Sequence, residues 1–429
     1  MTVETHYAPP PGPPPNHPYS GYAPPPGPPP FHGQPHTFLP ASFPLLSPPQ
    51  TYSLATQGYT TFPISLRPAL RDAASALFSV SRAFFSQSQS IKSQCQVLAA
   101  NEQGSEEGWS RVVGEKELIT LRRGGVACPP TVEIPGNIMW RECGALMQEM
   151  MRGIEQSLGM PQCAFDNIVV PECTMPEGAA DRAETLLRMF RYERRSETDD
   201  IAAPHDVEAS GKGRLVSEPH RDLGLLSLVV GASPGLEVFD TTLGGWVPIE
   251  QPPHAGPGLT ATLLVGETLT ILTNGRYAPG RHRVFVPSVA SSLSSADDSW
   301  YRYSLVFALR PHRNAIISTP ALTTPVTGAY QYPLIDVRAR VLFSTIARLH
   351  WNVNTERKAR ETQRLRLQGE LSETPPVVNG DSASNWPRTL YFSKLFPSTI
   401  CRFWGARHQT AIHMAEHSCH LPYSKLPKT

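Results

Sequence analysis

Residues 217–231 read SEPHRDLGLLSLVVG, and this stretch decides the fold expected for the chain. His220 and Asp222 lie two residues apart, so on an extended strand both side chains point to one face. The apolar residues that follow are typical of a buried strand. Downstream, TLLVGETLTILTNGRYAPGRHRVFVPS at 262–288 supplies His282 from another predicted strand. Two imidazoles and one carboxylate form the facial triad that holds Fe(II) and leaves coordination positions open.

A third segment, YRYSLVFALRP at 301–311, follows the second histidine. Arg302 and Ser304 share one face of this predicted strand. A fixed guanidinium and a hydroxyl together bind a carboxylate, so these two side chains are candidates for holding an organic acid. A lone histidine is usually structural, and the motif H-x-D alone is common; three ligand types in this order, followed by R-x-S, favour a metal site.

These segments, together with GLEVFDTTLGGWVPIE at 235–250, follow one another in the order seen in isopenicillin N synthase-like oxygenases. The chain resembles that branch of the 2-oxoglutarate/Fe(II)-dependent oxygenase family over about residues 60–350. The resemblance implies a mainly β core, a double-stranded β-helix or jelly roll, with flanking α-helices. It implies that His220, Asp222 and His282 bind iron, and that Arg302 and Ser304 bind 2-oxoglutarate.

Two positions depart from the family pattern. Arg221 stands where the family usually has Thr, and we expect it to point away from the metal. The gap of 302 − 282 = 20 residues is longer than usual, and the Ser- and Asp-rich stretch SVASSLSSADDSW at 288–300 predicts an inserted loop. Tyr192, in LLRMFRYER at 186–194, matches a family tyrosine that lines the 2-oxoglutarate pocket; a plain strand aromatic is the alternative, because the neighbouring Asn and Pro are absent. For Arg188 and Arg191, a position in solvent is an equal alternative.

The resemblance implies a dioxygenase that uses Fe(II), 2-oxoglutarate and O2 to oxidise a small organic molecule. It leaves open hydroxylation, desaturation or ring closure. The nearer alternative is an Fe(II) oxidase of the same fold that uses no 2-oxoglutarate. The farther one is a non-catalytic adaptor that acts through its Pro-rich N-terminus.

Bulk composition fits an enzyme in the cytoplasm. Lys and Arg total 38 against 37 for Asp and Glu, a balance that favours neither a nucleic-acid nor a membrane partner. The longest apolar runs have the length of a strand rather than of a membrane span. Seven cysteines without a pairing rhythm favour a reducing compartment.

The predicted organisation has five parts: a Pro-rich disordered tail (1–50), a mostly helical N-terminal part (51–175), the jelly-roll core (176–315), C-terminal helices (316–372) and a poorly defined tail (373–429). The first fifty residues hold 18 of the 45 prolines, a single charged residue, Glu4, and the repeat YAPPPGPPP at 7–15 and 22–30. Such a segment samples polyproline II and either binds an SH3- or WW-type domain or has no catalytic role.

Helical spacing predicts a helix that starts at Pro68, one with a core-facing methionine cluster over 139–158, and one over 334–371 whose charged second half is solvated. Asn274 and Gly275 predict a tight turn between strands. His205, His254 and His312 are interpreted as structural. Near the end of the chain, residue type alone raises a zinc site as an alternative to an irregular extension; the cluster consists of His408, His413, His417, Cys419 and His420.

Overall fold

The structure is a computed structural model that describes residues 46–97, 106–125, 127–178, 182–194, 213–250, 258–288 and 300–372. Its contacts divide the chain into two units, Met1–Leu45 and Leu46–Thr429, and the first unit lies outside the described residues. Also outside them lie His205, His254, most of the 288–300 insert and the C-terminal His/Cys cluster. The predictions on these segments, including the SH3- or WW-type partner, therefore stay predictions.

The core consists of antiparallel strands in two main sheets, because alternating and continuous apolar runs bury one or both faces of each strand. The strands are β1 (Tyr59–Pro63), β2 (Gly108–Val112), β3 (Lys116–Leu121), β4 (Leu186–Glu193), β5 (Gly213–His220), β6 (Leu226–Gly231), β7 (Leu236–Asp240), β8 (Gly245–Pro248), β9 (Thr260–Val265), β10 (His282–Pro287), β11 (Tyr301–Leu309), β12 (Ile316–Ile317) and β13 (Val337–Arg338). The larger sheet has the order β1-β9-β6-β11-β4-β3-β2, the smaller one β5-β10-β7-β8, and β12 pairs with β13.

The two main sheets share one apolar core. Phe190 of β4 and Val229 of β6 belong to the same buried cluster as Val216 of β5, Val238 of β7 and Val284 of β10. Side chains from two sheets that interdigitate in this way are the defining contact of a sandwich. The expectation of a jelly-roll-like β core with flanking helices is confirmed.

Helices cover the outside of this core: α1 (Pro48–Gln57), α2 (Pro68–Phe85), α3 (Gln89–Ser93), α4 (Pro130–Ser157), α5 (Asp166–Val169), α6 (Glu267–Leu272), α7 (Ala339–Ala347) and α8 (Arg357–Ser372). Helix α2 begins at Pro68 as predicted, and it packs against α4. The methionines of α4 are buried, in agreement with a role in the core. Among the described residues, no helix is long and apolar enough to cross a bilayer.

Three local predictions need correction. Asn274 and Gly275 both have positive φ, 51° and 76°, but they end helix α6 rather than join two strands. The Gly275 amide donates to the Thr270 carbonyl over 2.8 Å, which is how a left-handed residue closes a helix C-terminus. The single helix predicted over 334–371 is interrupted, since residues 348–356 separate α7 from α8.

Arg188 and Arg191 are not solvated, which is the third correction. Arg188 is 9% exposed, and Arg191 forms an ion pair over 3.1 Å with the buried carboxylate of Glu117. Their strand, β4, lies inside the larger sheet between β3 and β11, and six of its eight residues are buried. The residues of one strand do not show which other elements pack against it, so the burial of these two arginines could not be predicted from the sequence.

The close contact between α4 and the segment at Cys173 gives a stability prediction. A Cβ on Gly144 would lie 2.2 Å from the backbone oxygen of Cys173, whereas one on Gly153 of the same helix would meet nothing within 4 Å. We expect Gly144→Ala to lower the free energy of unfolding by about 1–3 kcal/mol through overpacking. Gly153→Ala should raise it by about 0.5–1 kcal/mol because alanine favours the helix.

Urea unfolding of both variants and the parent measures the two changes. Equal stability of the two variants would show that α4 does not approach Cys173 as closely as described.

Candidate metal centre

His220 and His282 face each other at the end of the smaller sheet. His220 is the last residue of β5, His282 is the first of β10, and the two are register partners in the antiparallel pair. Their ring centroids are 4.2 Å apart. Asp222 lies two residues beyond the end of β5. The prediction that it lies on the same strand face as His220 is therefore wrong. The chain beyond the strand nevertheless brings its carboxylate to the same place.

The ligand atoms of these three residues converge. Asp222 Oδ1 lies 4.0 Å from His220 Nε2 and 4.0 Å from His282 Nε2, and one ligand atom from each residue lies within 4.8 Å of the others. In the described part of the chain this is the one cluster of His, Cys, Asp or Glu that could hold a metal ion. The spacing suits a first-row cation bound by two nitrogens and one oxygen.

Backbone carbonyls fix the orientation of both imidazoles. His220 Nδ1 lies 2.7 Å from the carbonyl oxygen of Glu218, and His282 Nδ1 lies 3.1 Å from that of Gly280. Each Nδ1 donates to its carbonyl in the tautomer that leaves Nε2 with a free lone pair for the metal. Outer hydrogen bonds of this kind are usual around metal-bound histidines.

The protonation states also fit a metal. Burial, followed by the neighbouring His282, lowers the pKa of His220 to about 3, so its ring is neutral at physiological pH. Burial alone would raise the pKa of Asp222, but the two imidazoles and a hydrogen bond from Ser227 lower it. Neutral imidazole and ionised carboxylate are the forms that coordinate cations.

Arg302, the residue expected to hold the far carboxylate of 2-oxoglutarate, is fully buried. Its Nη2 donates to both carboxylate oxygens of Glu250, over 3.1 Å and 2.9 Å, and its Nε donates to the Ser233 carbonyl over 3.0 Å. Its Nη1 is buried without a hydrogen-bond partner among the described residues. Nη1 is therefore free for a ligand among the described residues, while the Ser233 carbonyl holds Nε and Glu250, which sequence reasoning missed, holds Nη2.

Tyr192 and Ser304 lie beside this guanidinium. Tyr192 is the register partner of Arg302 across β4 and β11, and the Arg302 Cζ atom lies 5.4 Å from the centre of its ring. Burial raises the pKa of Tyr192 to about 12, against the opposing effects of Arg302 and of a hydrogen bond with Ser304. The phenol stays protonated and can donate to an anion, so the three predicted residues form one polar wall.

One cavity of about 1130 Å³ joins this wall to the metal cluster. His220, Asp222, His282, Arg302 and Ser304 all line it. Helices α7 and α8 and the segment between them also line the cavity, through Phe343, His350, Trp351, Asn354 and Gln363. The C-terminal helices therefore border the cavity that contains the candidate site.

Most polar residues of helix α8 are exposed, as predicted, but ion pairs attach the helix to the rest of the protein. Arg360 is 3% exposed and contacts Glu115 over 2.7 Å and Glu218 over 3.1 Å. Arg364 also pairs with Glu218. Because the Glu218 carbonyl orients His220, these ion pairs connect the cover of the cavity to the metal cluster.

Three residues near the site have structural partners. Arg283 pairs with Glu237 over 2.6 Å and lies over the Trp246 ring, and His312 pairs with Glu172 over 3.0 Å. Both therefore have structural contacts, as was expected for His312. Arg221 borders the cavity, and its guanidinium lies 3.4 Å from Glu267.

Known proteins with similar sequences support the interpretation of this cluster as a metal site. Residues 185–332 match the family model of the 2OG-Fe(II) oxygenase superfamily. Over 77 residues the chain is 32% identical to flavanone 3-dioxygenase 3 of Oryza sativa subsp. japonica, a match that covers 18% of this chain and 22% of that protein. The chain thus spans less than a quarter of this curated relative.

Two solved structures share the fold. A full-length protein of Neurospora crassa, crystallised in complex with α-KG, superposes with a TM-score of 0.51 at 21% identity, over 69% of this chain and 88% of that one. A putative 2OG-Fe(II) oxygenase family protein from Caulobacter crescentus gives 0.51 at 20% identity, over 70% and 92%.

The fold and the site define an antiparallel β sandwich with a two-histidine, one-carboxylate cluster at the end of the smaller sheet. The segment that carries this cluster lies within residues 185–332, which match the 2OG-Fe(II) oxygenase superfamily.

A buried lysine under the cover of the cavity gives a pH prediction. Lys116 is fully buried and donates to the Val353 carbonyl over 2.9 Å. Burial, with the charges of Arg360 and Arg188 added, outweighs Glu115 and Glu218 and lowers the pKa of Lys116 to about 7. Between that value and its unfolded pKa the unfolded chain binds more protons, so stability rises with pH in this window.

The contribution of Lys116 to the free energy of unfolding should therefore rise by up to about 1.4 kcal/mol per pH unit above pH 7. Urea unfolding at pH 7 and pH 9 should show this rise in the parent relative to Lys116→Met, which lacks the titrating amine. A parallel pH dependence of parent and variant would contradict the lowered pKa.

Proposed function

We propose that this protein is a 2-oxoglutarate- and Fe(II)-dependent dioxygenase that oxidises a small organic molecule. The observation that carries the proposal is one cavity with two elements: three converging metal ligands and, on its wall, a buried arginine with a free Nη1 donor. A bound Fe(II) would supply redox chemistry with O2 and open positions for an oxo acid. The family match of residues 185–332 supports the same assignment.

His220, Asp222 and His282 would hold the metal through two Nε2 atoms and one carboxylate oxygen. The carbonyls of Glu218 and Gly280 keep both rings in the required tautomer. The chain's own contribution is thus a set of ligands whose rings are already oriented, so binding requires little rearrangement.

Arg302 would bind the C5 carboxylate of 2-oxoglutarate through Nη1, with Ser304 and the protonated phenol of Tyr192 as further donors. These side chains are buried, so the contact is screened from water and is stronger than one at the surface. The apolar wall of Phe190, Val229 and Leu236 excludes water from the same region.

The Arg302–Glu250 ion pair also favours a second candidate, an Fe(II) oxidase of the same fold that uses no 2-oxoglutarate. Glu250 already neutralises the arginine, so a diacid has to bind next to a second carboxylate. The two candidates differ in one product, because only the dioxygenase releases succinate from 2-oxoglutarate.

The metal assignment is tested by His220→Ala, Asp222→Ala and His282→Ala. Each should lose bound Fe(II) and succinate release while the fold is retained, since three ligands are the minimal set for such a site. The metal content and circular dichroism of each purified variant, measured beside the succinate assay, separate lost metal from lost fold. His312→Gln, which changes a histidine paired with Glu172 away from the cluster, is the control and should keep both metal and activity. A folded variant with parental iron content would exclude its residue as a ligand.

The 2-oxoglutarate assignment is tested by variants of the Arg302–Glu250 pair. Loss of one partner of a buried charge pair costs about 3–5 kcal/mol, so Arg302→Ala should raise the 2-oxoglutarate concentration for half-maximal succinate release by about 10²–10³-fold or more. Arg302→Lys should raise it less, since lysine keeps the charge but lacks the fork.

Glu250→Gln should act in the opposite direction. It removes the carboxylate that competes for Arg302 and repels the co-substrate. Relief of about 1 kcal/mol of repulsion should lower the 2-oxoglutarate concentration for half-maximal succinate release by about five-fold. If Arg302→Ala leaves the requirement unchanged, Arg302 does not bind the co-substrate. If the parent oxidises an organic substrate without any 2-oxoglutarate dependence, the oxidase is the correct candidate.

A further inference from the structure

A second buried arginine, Arg188, faces the cavity from the middle of β4. It lines the cavity together with Leu186, Phe190 and Tyr192, the alternate residues of the same strand face. Its register partners are Val306 on β11 and Thr120 on β3. At 9% exposure, its charge is almost completely removed from water.

Arg188 has few partners for a buried cation. Its Nε donates to Thr120 Oγ1 over 2.8 Å, which is its one hydrogen bond among the described residues. Within the same residues no carboxylate oxygen lies within 4.0 Å of its guanidinium, the limit of an ion pair. The bond to Thr120 fixes the Nε edge of the guanidinium, and neither Nη group has an acceptor among the described residues.

The other buried arginines of the described chain differ from Arg188, because each contacts a carboxylate or a backbone carbonyl. The contacts are Arg122 with Glu184, Arg214 with the Gly114 carbonyl, Arg283 with Glu237, Arg302 with Glu250, Arg310 with Glu106, and Arg360 with Glu115. Arg188 is the exception to this rule of pairing in the described part of the chain.

The nearest acidic charge does not compensate for Arg188. Glu106 lowers the cost of its burial electrostatically, but both Glu106 oxygens pair with Arg310, over 2.9 Å and 2.8 Å, and one lies 3.4 Å from Arg122. Burial lowers the pKa of Arg188 to about 10, so the group is still charged at physiological pH. A buried cation without a counter-ion is costly, and a bound anion removes that cost.

We propose that Arg188 binds a carboxylate of the organic substrate, so that the substrate class is small carboxylic acids with an apolar body. This inference rests on the proposed function, in which the cavity is the oxygenase site. The apolar body is matched by Phe190, Val306, Phe343 and Trp351 on the cavity wall. Arg188 and the three metal ligands line the same cavity, so an acid anchored by Arg188 would share that cavity with the metal.

The position of Arg188 separates it from the proposed 2-oxoglutarate wall. Arg302 is the partner of Tyr192, whereas Arg188 is the partner of Val306, four residues further along β11. At about 3.4 Å per residue, the two positions lie roughly 14 Å apart along the strand. The two arginines thus serve two different anions.

The test uses the full-length protein without metal, so that binding is measured apart from catalysis. Calorimetric titrations compare matched acids and primary amides: phenylacetate with phenylacetamide, and cinnamate with cinnamamide. The parent should bind at least one acid about ten-fold or more tightly than its amide, since a charge-assisted contact to a buried guanidinium exceeds a neutral one. Arg188→Gln should abolish this preference, and Arg188→Lys should keep part of it.

Arg141→Gln is the control, because it removes the charge of an exposed arginine outside the cavity and should keep the full preference. Should Arg188→Gln fail to fold, Thr120→Val supplies the second test. It keeps the guanidinium but removes the bond that orients it, so acid binding should weaken several-fold while amide binding is unchanged.

The proposal is overturned if the parent binds no acid of the series more tightly than its amide, or if folded Arg188→Gln keeps the preference. It is also overturned if Arg188→Gln raises the 2-oxoglutarate requirement for succinate release, since Arg188 would then hold the co-substrate. If the parent prefers acids through Arg188 but releases no succinate, the proposed function fails while the anion site remains.

Discussion

The pairing of β5 with β10 is the constraint on which the site depends. It sets His220 opposite His282 and ends β5 where the chain turns towards Asp222. A slip of one residue in this register would carry one imidazole to the other face of the sheet. The valines of β5, β7 and β10 in the shared core fix the register, because each would leave that core in the slipped pairing.

Around this cluster the protein buries an unusual number of charged groups. Arg302, Arg310 and Arg360 are each held by carboxylates from other parts of the chain, and each contact joins an element of the cavity to another. Such pairs contribute little net stability, but they fix geometry, since a partner left alone would be a buried charge. Arg188 is the position where the protein supplies the cation and leaves the anion to a ligand.

Buried charged groups also attach the C-terminal helices that border the cavity. Arg360 and Arg364 of α8 both pair with Glu218, whose carbonyl orients His220, and Lys116 bonds to the segment between α7 and α8. Docking of the C-terminal helices and orientation of a metal ligand therefore share one residue.

The sequence by itself determined the β core, the start of α2, the buried methionines of α4, and the types and order of the candidate ligands. These features follow from short stretches of sequence, because the spacing of apolar residues and the residue types of the ligands can be read from neighbouring positions. Only the tertiary structure decided that Glu250 pairs with Arg302, that Arg188 is buried without a counter-ion among the described residues, and that α8 is docked through Arg360. Each of these contacts joins residues far apart in the chain, up to 245 positions for Arg360 and Glu115. Contacts over such separations produce no periodic pattern in the sequence from which they could be predicted.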